Sequence, residues 1–164
     1  MKRYNSIESA IIISNSNLLL QEYMPKLEKC LEELSESDIW WRENEASNSV
    51  GNLVLHLSGN IRQWIISGIG EEKDNRERSK EFSAKLTHSK GELVSILSET
   101  VHKAVFVLQS FDLSKLLEVR NFQVYETTCL EAIIHVVEHF SYHLGQIVYI
   151  TKLRTNKDLH FYNL

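Results

Sequence analysis

Apolar residues recur at three-to-four spacing along four stretches of the chain, and each stretch predicts an amphipathic helix. In the first, over residues 5–34, the stripe is Ile7, Ile11, Leu18, Leu19, Met24, Leu27, Leu31 and Leu34. Pro25 lies inside it. A proline lacks the helical N–H and its ring clashes with the preceding turn, so a kink or break is expected near Tyr23–Met24. The second helix, over 49–68, carries Val50, Val54, Leu57, Ile61, Trp64 and Ile65, with Asn48 or Ser49 as its cap and Gly68 and Gly70 at its end. The third, over 89–110, carries Leu93, Ile96, Leu97, Val101, Ala104, Val105 and Leu108, with Thr87 or Ser89 before it. The fourth, over 129–154, opens on Thr127 or Thr128, with Glu131 placed to complete a capping box.

The connections differ in character. Trp40 and Trp41 are adjacent in "SESDIWWRENEASNSVGN", so they point different ways, and at least one is expected to pack on the end of the bundle. "EEKDNRERSKEFSAKLTHSK" is the most polar stretch and is expected to be a solvated loop with a short helical turn. "LLEVRNFQVYETT" partly alternates and is rich in β-branched and aromatic residues, which suits a short extended ribbon. Four striped helices of about 20 residues describe an all-α four-helix bundle, a single domain over residues 1–164.

Composition fits that picture. One proline and six glycines in 164 residues favour long helices over many short strands. Hydrophobic residues at 43% and charged residues at 24% are the balance of a globular chain. The net charge of −4 offers no basic field for a phosphate backbone, so nucleic acid is not an expected partner. No segment reaches the ~18 unbroken apolar residues of a membrane span. The start, "MKRYNSIESAIIISNSNLLLQEY", has a basic beginning and an apolar run, but Asn15, Ser16 and Asn17 interrupt it and no small-residue cleavage site follows. A cytoplasmic protein with small-molecule partners is the expectation. Cys30 and Cys129 can form one pair at most and read as small buried residues.

The chemistry gathers in "HVVEHFSYHLGQIVYITKLR", where His135, His139 and His143 stand four apart. Helical positions four apart lie one above the other, about 6 Å between Cβ atoms. His139 and His143 can therefore present two imidazoles to one ion, as in other metal sites built on a histidine pair. Each step of four drifts about 40° around the helix, so three such residues do not all reach one ion, and one of them is not a ligand. A third ligand must come from another helix. His56 is the best candidate, because it lies among Leu53, Val54, Leu55 and Leu57 and a buried imidazole needs a partner. On spacing alone a pair of this kind is also compatible with a structural or exposed role. His88, His102 and His160 sit in polar or peripheral contexts and read as surface residues.

At these residues the sequence resembles the DinB-like (YfiT-like) superfamily of metal-dependent proteins, over nearly the whole chain. "HVVEHFSYHLGQI" is similar to the family's closing helix, with Gly145 and Gln146 after the two histidines. "NSVGNLVLHLSGNIRQWI" is similar to its second-helix motif, and "WWRENEASNSVGN" to the connection before it. The "DNRERSKEF" pattern resembles a branch of undefined function. The resemblance implies a four-helix bundle with a long crossover and a metal site of His56, His139 and His143, with His135 outside it. It implies a divalent ion, zinc or nickel suiting imidazole best and manganese or iron also compatible. It further implies a low-molecular-weight thiol as co-substrate of an S-transferase-like reaction, and a homodimer in which exposed aromatics such as Trp40 or Trp64 serve the interface. A hydrolase using metal-activated water and a non-catalytic metal-binding stress-response module are the other readings of the same site. Glu138, Asn60, Gln63, Tyr142 and Gln146 are candidates to stand around the metal, and Arg76 and Arg78 to meet an anionic thiol, with solvated surface the alternative for both arginines.

Overall fold

The computed structural model describes residues 4–162. The first helical rod is made of α1 (Ile7–Asn17), a π-helical stretch (Leu18–Tyr23) and α2 (Met24–Glu33). Pro25 stands at the start of α2, and just before it the Met24 N–H bonds to the Leu19 carbonyl in a widened turn. The break expected at Tyr23–Met24 is thus absorbed by one wide turn, and the rod continues to Glu33. After the short α3 (Glu36–Ile39), α4 (Val50–Ile61) runs on through a second π-helical stretch, Arg62–Ile69. Then come α5 (Arg78–Ser83), α6 (Lys90–Gln109), a 3₁₀ turn (Leu113–Lys115), the hairpin of β1 (Val119–Phe122) and β2 (Tyr125–Thr128), and α7 (Cys129–Thr155).

Side-chain chemistry decides the helix starts. Ser49, Ser89 and Thr128 each accept a bond from the third helical residue's N–H and receive one back from its side chain, in three capping boxes. Glu131 is held at a pKa of about 2 by the Thr127 hydroxyl, the Thr128 N–H and the Thr128 hydroxyl. In the ribbon, Phe122 pairs with Tyr125 across a two-residue turn in which Gln123 takes φ 58°.

The first rod and α4 each pack against both α6 and α7, so these two rods face each other across the bundle diagonal. The chain is an all-α four-helix bundle whose first and last connections cross the diagonal, while α4 and α6 are neighbours, with a small hairpin as an addition. Leu27, Leu31, Val54, Ile65, Leu97, Val101, Ala132, Phe140 and Ile147 are fully buried between the rods. Cys30 and Cys129 are buried and unpaired, and burial pushes the Cys30 thiol up to about 11. Trp64 is buried, which corrects its reading as an exposed interface aromatic, and Trp40 is half-buried against the core, as expected of one of the two adjacent tryptophans. Trp64 stacks on Phe122 at 5.1 Å between centroids. Trp40 lies on Gly51 and donates its indole N–H to the His88 carbonyl at 3.0 Å. At Gly68 an added Cβ would sit 2.2 Å from the Phe122 ring, so the hairpin can only seat itself on a glycine there. No helix of the described residues is long and apolar enough to cross a membrane.

Candidate metal centre

The seam between α4 and α7 carries the histidines. His56 is 4% exposed and His143 is 8% exposed, while His139 is half-buried between them. One donor nitrogen from each of the three lies within 4.8 Å of the other two. The Nε2 atoms of His56 and His139 stand 2.9 Å apart, near the roughly 3.4 Å that two imidazoles on one tetrahedral zinc would show. Ring centroids are 4.9 Å apart for His56–His139, 5.0 Å for His56–His143 and 4.4 Å for His139–His143.

His56 is oriented from behind. Its Nδ1 is 2.9 Å from Glu81 Oε2, and Glu81 also accepts from Arg76 Nε at 2.7 Å and Arg76 Nη2 at 2.9 Å. Arg76 Nη2 lies 3.1 Å from the same Nδ1, but a guanidinium only donates, so the carboxylate is the partner of the imidazole N–H. That tautomer turns the His56 Nε2 lone pair toward His139. Gln63 Oε1 takes a further Arg76 proton. On the other side His143 Nδ1 donates to Gln146 Oε1 at 2.8 Å, which frees its Nε2 in the same way.

The electrostatics favour neutral donors. Burial, and then the neighbouring His143 and His56, push His139 down to about 3. Burial also lowers His143, against the Gln146 hydrogen bond. Burial alone would raise the Glu81 carboxyl, yet the bonds from Arg76 and His56 hold it below the usual carboxylate value. Imidazoles backed by a carboxylate and an amide suit a divalent transition ion, and His56, His139 and His143 can hold one.

The segment that supplies Glu81 and Arg76 was expected to be a solvated loop with a short helical turn; α5 is that turn and most of the stretch is exposed, but Arg76 and Glu81 lie inside, which corrects the reading for these two. Residues 76–84 fold back over α4. The Asn52 amide, itself in the Ser49 capping box, donates to the Glu81 carbonyl at 2.8 Å and to the Ala84 carbonyl at 2.9 Å. Gly59 leaves room for the pair, since a Cβ there would lie 2.0 Å from Glu81 Oε1. Arg76 is therefore an internal ion-pair partner. Glu138 is exposed and Tyr142 is 65% exposed, so neither stands behind a ligand. Asn60 and Gln63 do line the adjoining cavity. His135 falls outside the triad. It stacks against His139 at 5.4 Å and Trp64 at 4.4 Å, and its Nε2 is 3.3 Å from Asn60 Nδ2.

Residues 9–163 match the family model DUF1572, described as a protein of unknown function. The chain belongs to the DUF1572 family. Among solved structures it is similar to a DinB-like protein of Bacillus cereus, at 16% identity and a TM-score of 0.70, over 93% of this chain and 95% of that one. It is also similar to a DinB-like protein of Bacillus subtilis, at 18% identity and a TM-score of 0.63, over 87% and 91%. At such identities the likeness is one of fold. No match is found among the curated proteins. The chain is thus a DUF1572 member with the fold of DinB-like proteins and three converging histidines.

The depressed His139 has a measurable consequence in metal-free protein. The unfolded chain takes up a proton near the ordinary value of 6.5, while the folded chain resists it to about 3. The unfolded state thus binds more protons between these values, so stability present above pH 6.5 is lost progressively as pH falls toward 3. Thermal denaturation with chelator present should give a lower Tm near pH 5 than at neutral pH, a weakening that begins about where histidine titrates. An unchanged Tm across that interval would contradict this account of the buried imidazoles.

Proposed function

We propose that the protein is a metal-dependent transferase that joins a small thiol to an electrophile. The observation that carries this reading is the pairing of three converging imidazoles with an adjoining cavity of about 450 Å³ that His56 and His139 line. Three protein ligands are the donor number of catalytic sites, whereas structural zinc is usually closed by four. A bound divalent ion would supply Lewis acidity, favouring the thiolate over the thiol near neutral pH.

The chain's own residues do the positioning. Glu81 keeps the proton on His56 Nδ1, so that Nε2 stays a donor, and Arg76 keeps Glu81 ionised. Gln146 performs the same service for His143. Asn60, Gln63 and His135 shape the cavity wall. In the reaction the thiol proton leaves to solvent, sulfur forms a bond to the electrophilic carbon, and that carbon releases its leaving group or opens its epoxide.

A hydrolase reading fits the same donors less well, because the nearby carboxylate, Glu81, is fully engaged by Arg76 and His56 and is not free to take a proton from water. The test is a screen of metal-loaded protein with several low-molecular-weight thiols and a chlorinated dinitrobenzene. Thiol-dependent release of chloride, lost on His56→Ala, supports the proposal. Turnover with water alone would replace it by hydrolysis. No turnover with any thiol would leave a metal-binding module.

A further inference from the structure

We infer that the cavity beside the histidines is a binding chamber for small aromatic carboxylates, read through Arg78. The inference rests on the proposed function in one respect, that the chamber opens onto His56 and His139. It adds the class of substrate.

The wall is aromatic on one side. Trp64 lies between Phe122 and His135, and the Tyr125 ring is 5.6 Å from it, at the end of the hairpin whose turn residues Gln123 and Val124 overhang the space. Such a wall suits a flat ring. The volume of about 450 Å³ is that of a small-ligand site.

The charge is one-sided. No aspartate or glutamate lines the chamber, and two arginines do. Arg76 is spent on Glu81. Arg78 is not spent. Among the described residues no carboxylate pairs with it: Asp74 accepts from Gln123 Nε2 and the Arg76 N–H, Glu77 pairs with Lys80 and Glu81 with Arg76, and the Arg78 guanidinium rests over the Phe82 ring at 5.3 Å. Phe82 in turn packs on His56 at 4.7 Å, so the cation is held beside the site. An exposed guanidinium without a carboxylate partner is a fitting end-group for an anionic ligand.

The probe is benzoate, which has a carboxylate on a flat ring, and its control is the uncharged benzamide. Both are titrated into the protein by ligand-detected NMR, with chelator present so that no ion can capture the carboxylate. The metal content of the untreated sample is measured in parallel. The expected result is measurable binding of benzoate, about tenfold tighter than the amide. Arg78→Gln, a surface change, should bring the acid down to the level of the amide, and Arg78→Lys should restore part of the preference. Absence of binding, equal binding of acid and amide, or a preference that survives Arg78→Gln would overturn the inference. A sample that holds no metal yet discriminates acid from amide would sink the transferase reading and leave this chamber standing. A metal-loaded sample without discrimination would do the reverse.

Discussion

Glu81→Ala should destabilise the protein by about 3–5 kcal/mol, because it leaves the Arg76 guanidinium buried without its counter-charge. For a chain of this size that is a drop of roughly 10 °C in Tm. The Arg76 side chain is 5% exposed and Glu81 10%, and two of the three bonds that Glu81 accepts come from Arg76. Truncation therefore removes the acceptor while the donor remains inside. The loss has a ceiling. The 76–84 segment can lift off α4 and let Arg76 reach water, at the cost of the Asn52 bonds to the Glu81 and Ala84 carbonyls. Faster proteolysis within 71–89 should accompany the lower Tm. Glu81→Leu combined with Arg76→Leu, which removes both charges together, should recover much of the stability. A Tm for Glu81→Ala within a degree or so of the parent would show that the pair is not buried as described.

The second large effect concerns the ion. His56→Ala, His139→Ala and His143→Ala should each weaken divalent-metal affinity by on the order of a thousandfold, since two imidazoles do not replace three. Glu81→Gln should weaken it by about 10–100-fold, because the carboxylate acts only through the orientation and basicity of His56. His135→Ala should leave the affinity within about threefold of the parent, as its nitrogen faces Asn60 outside the triad. Competition against a chelating dye reads all five. Equal losses for His135→Ala and His143→Ala would mean that the ligand set is misassigned.

How far the sequence carries this picture depends on range. The long helices are legible because each repeats an apolar stripe over many turns, and their starts are legible because Ser49, Ser89 and Thr128 sit three residues before a reciprocating side chain. The ribbon shows in its alternation. The drift of about 40° per four residues separates His135 from the pair below it. Spacing leaves the third ligand open; the apolar neighbours of His56 mark it as the candidate, and the resemblance implies the same residue. What the sequence hides is the backing of His56. Glu81 and Arg76 belong to a polar stretch whose one helix is six residues long, too short to declare a buried face. They are internal because Asn52 and Gly59, 29 and 22 positions earlier than Glu81 (81 − 52 and 81 − 59), provide an anchor and a gap. Burial of a charged pair by a returning loop is a tertiary event, and no local period records it. Trp64 is misjudged for a related reason, since the hairpin covers it from elsewhere in the chain.

The central claim is that His56, His139 and His143 hold a divalent ion in the native protein. Elemental analysis of protein purified without a histidine tag tests it most directly, with His56→Ala prepared alongside. The account predicts about one transition-metal ion per chain in the parent and almost none in the variant. A parent far below one ion per chain that does not fill when zinc or nickel is supplied, or a variant that keeps its ion, would contradict it.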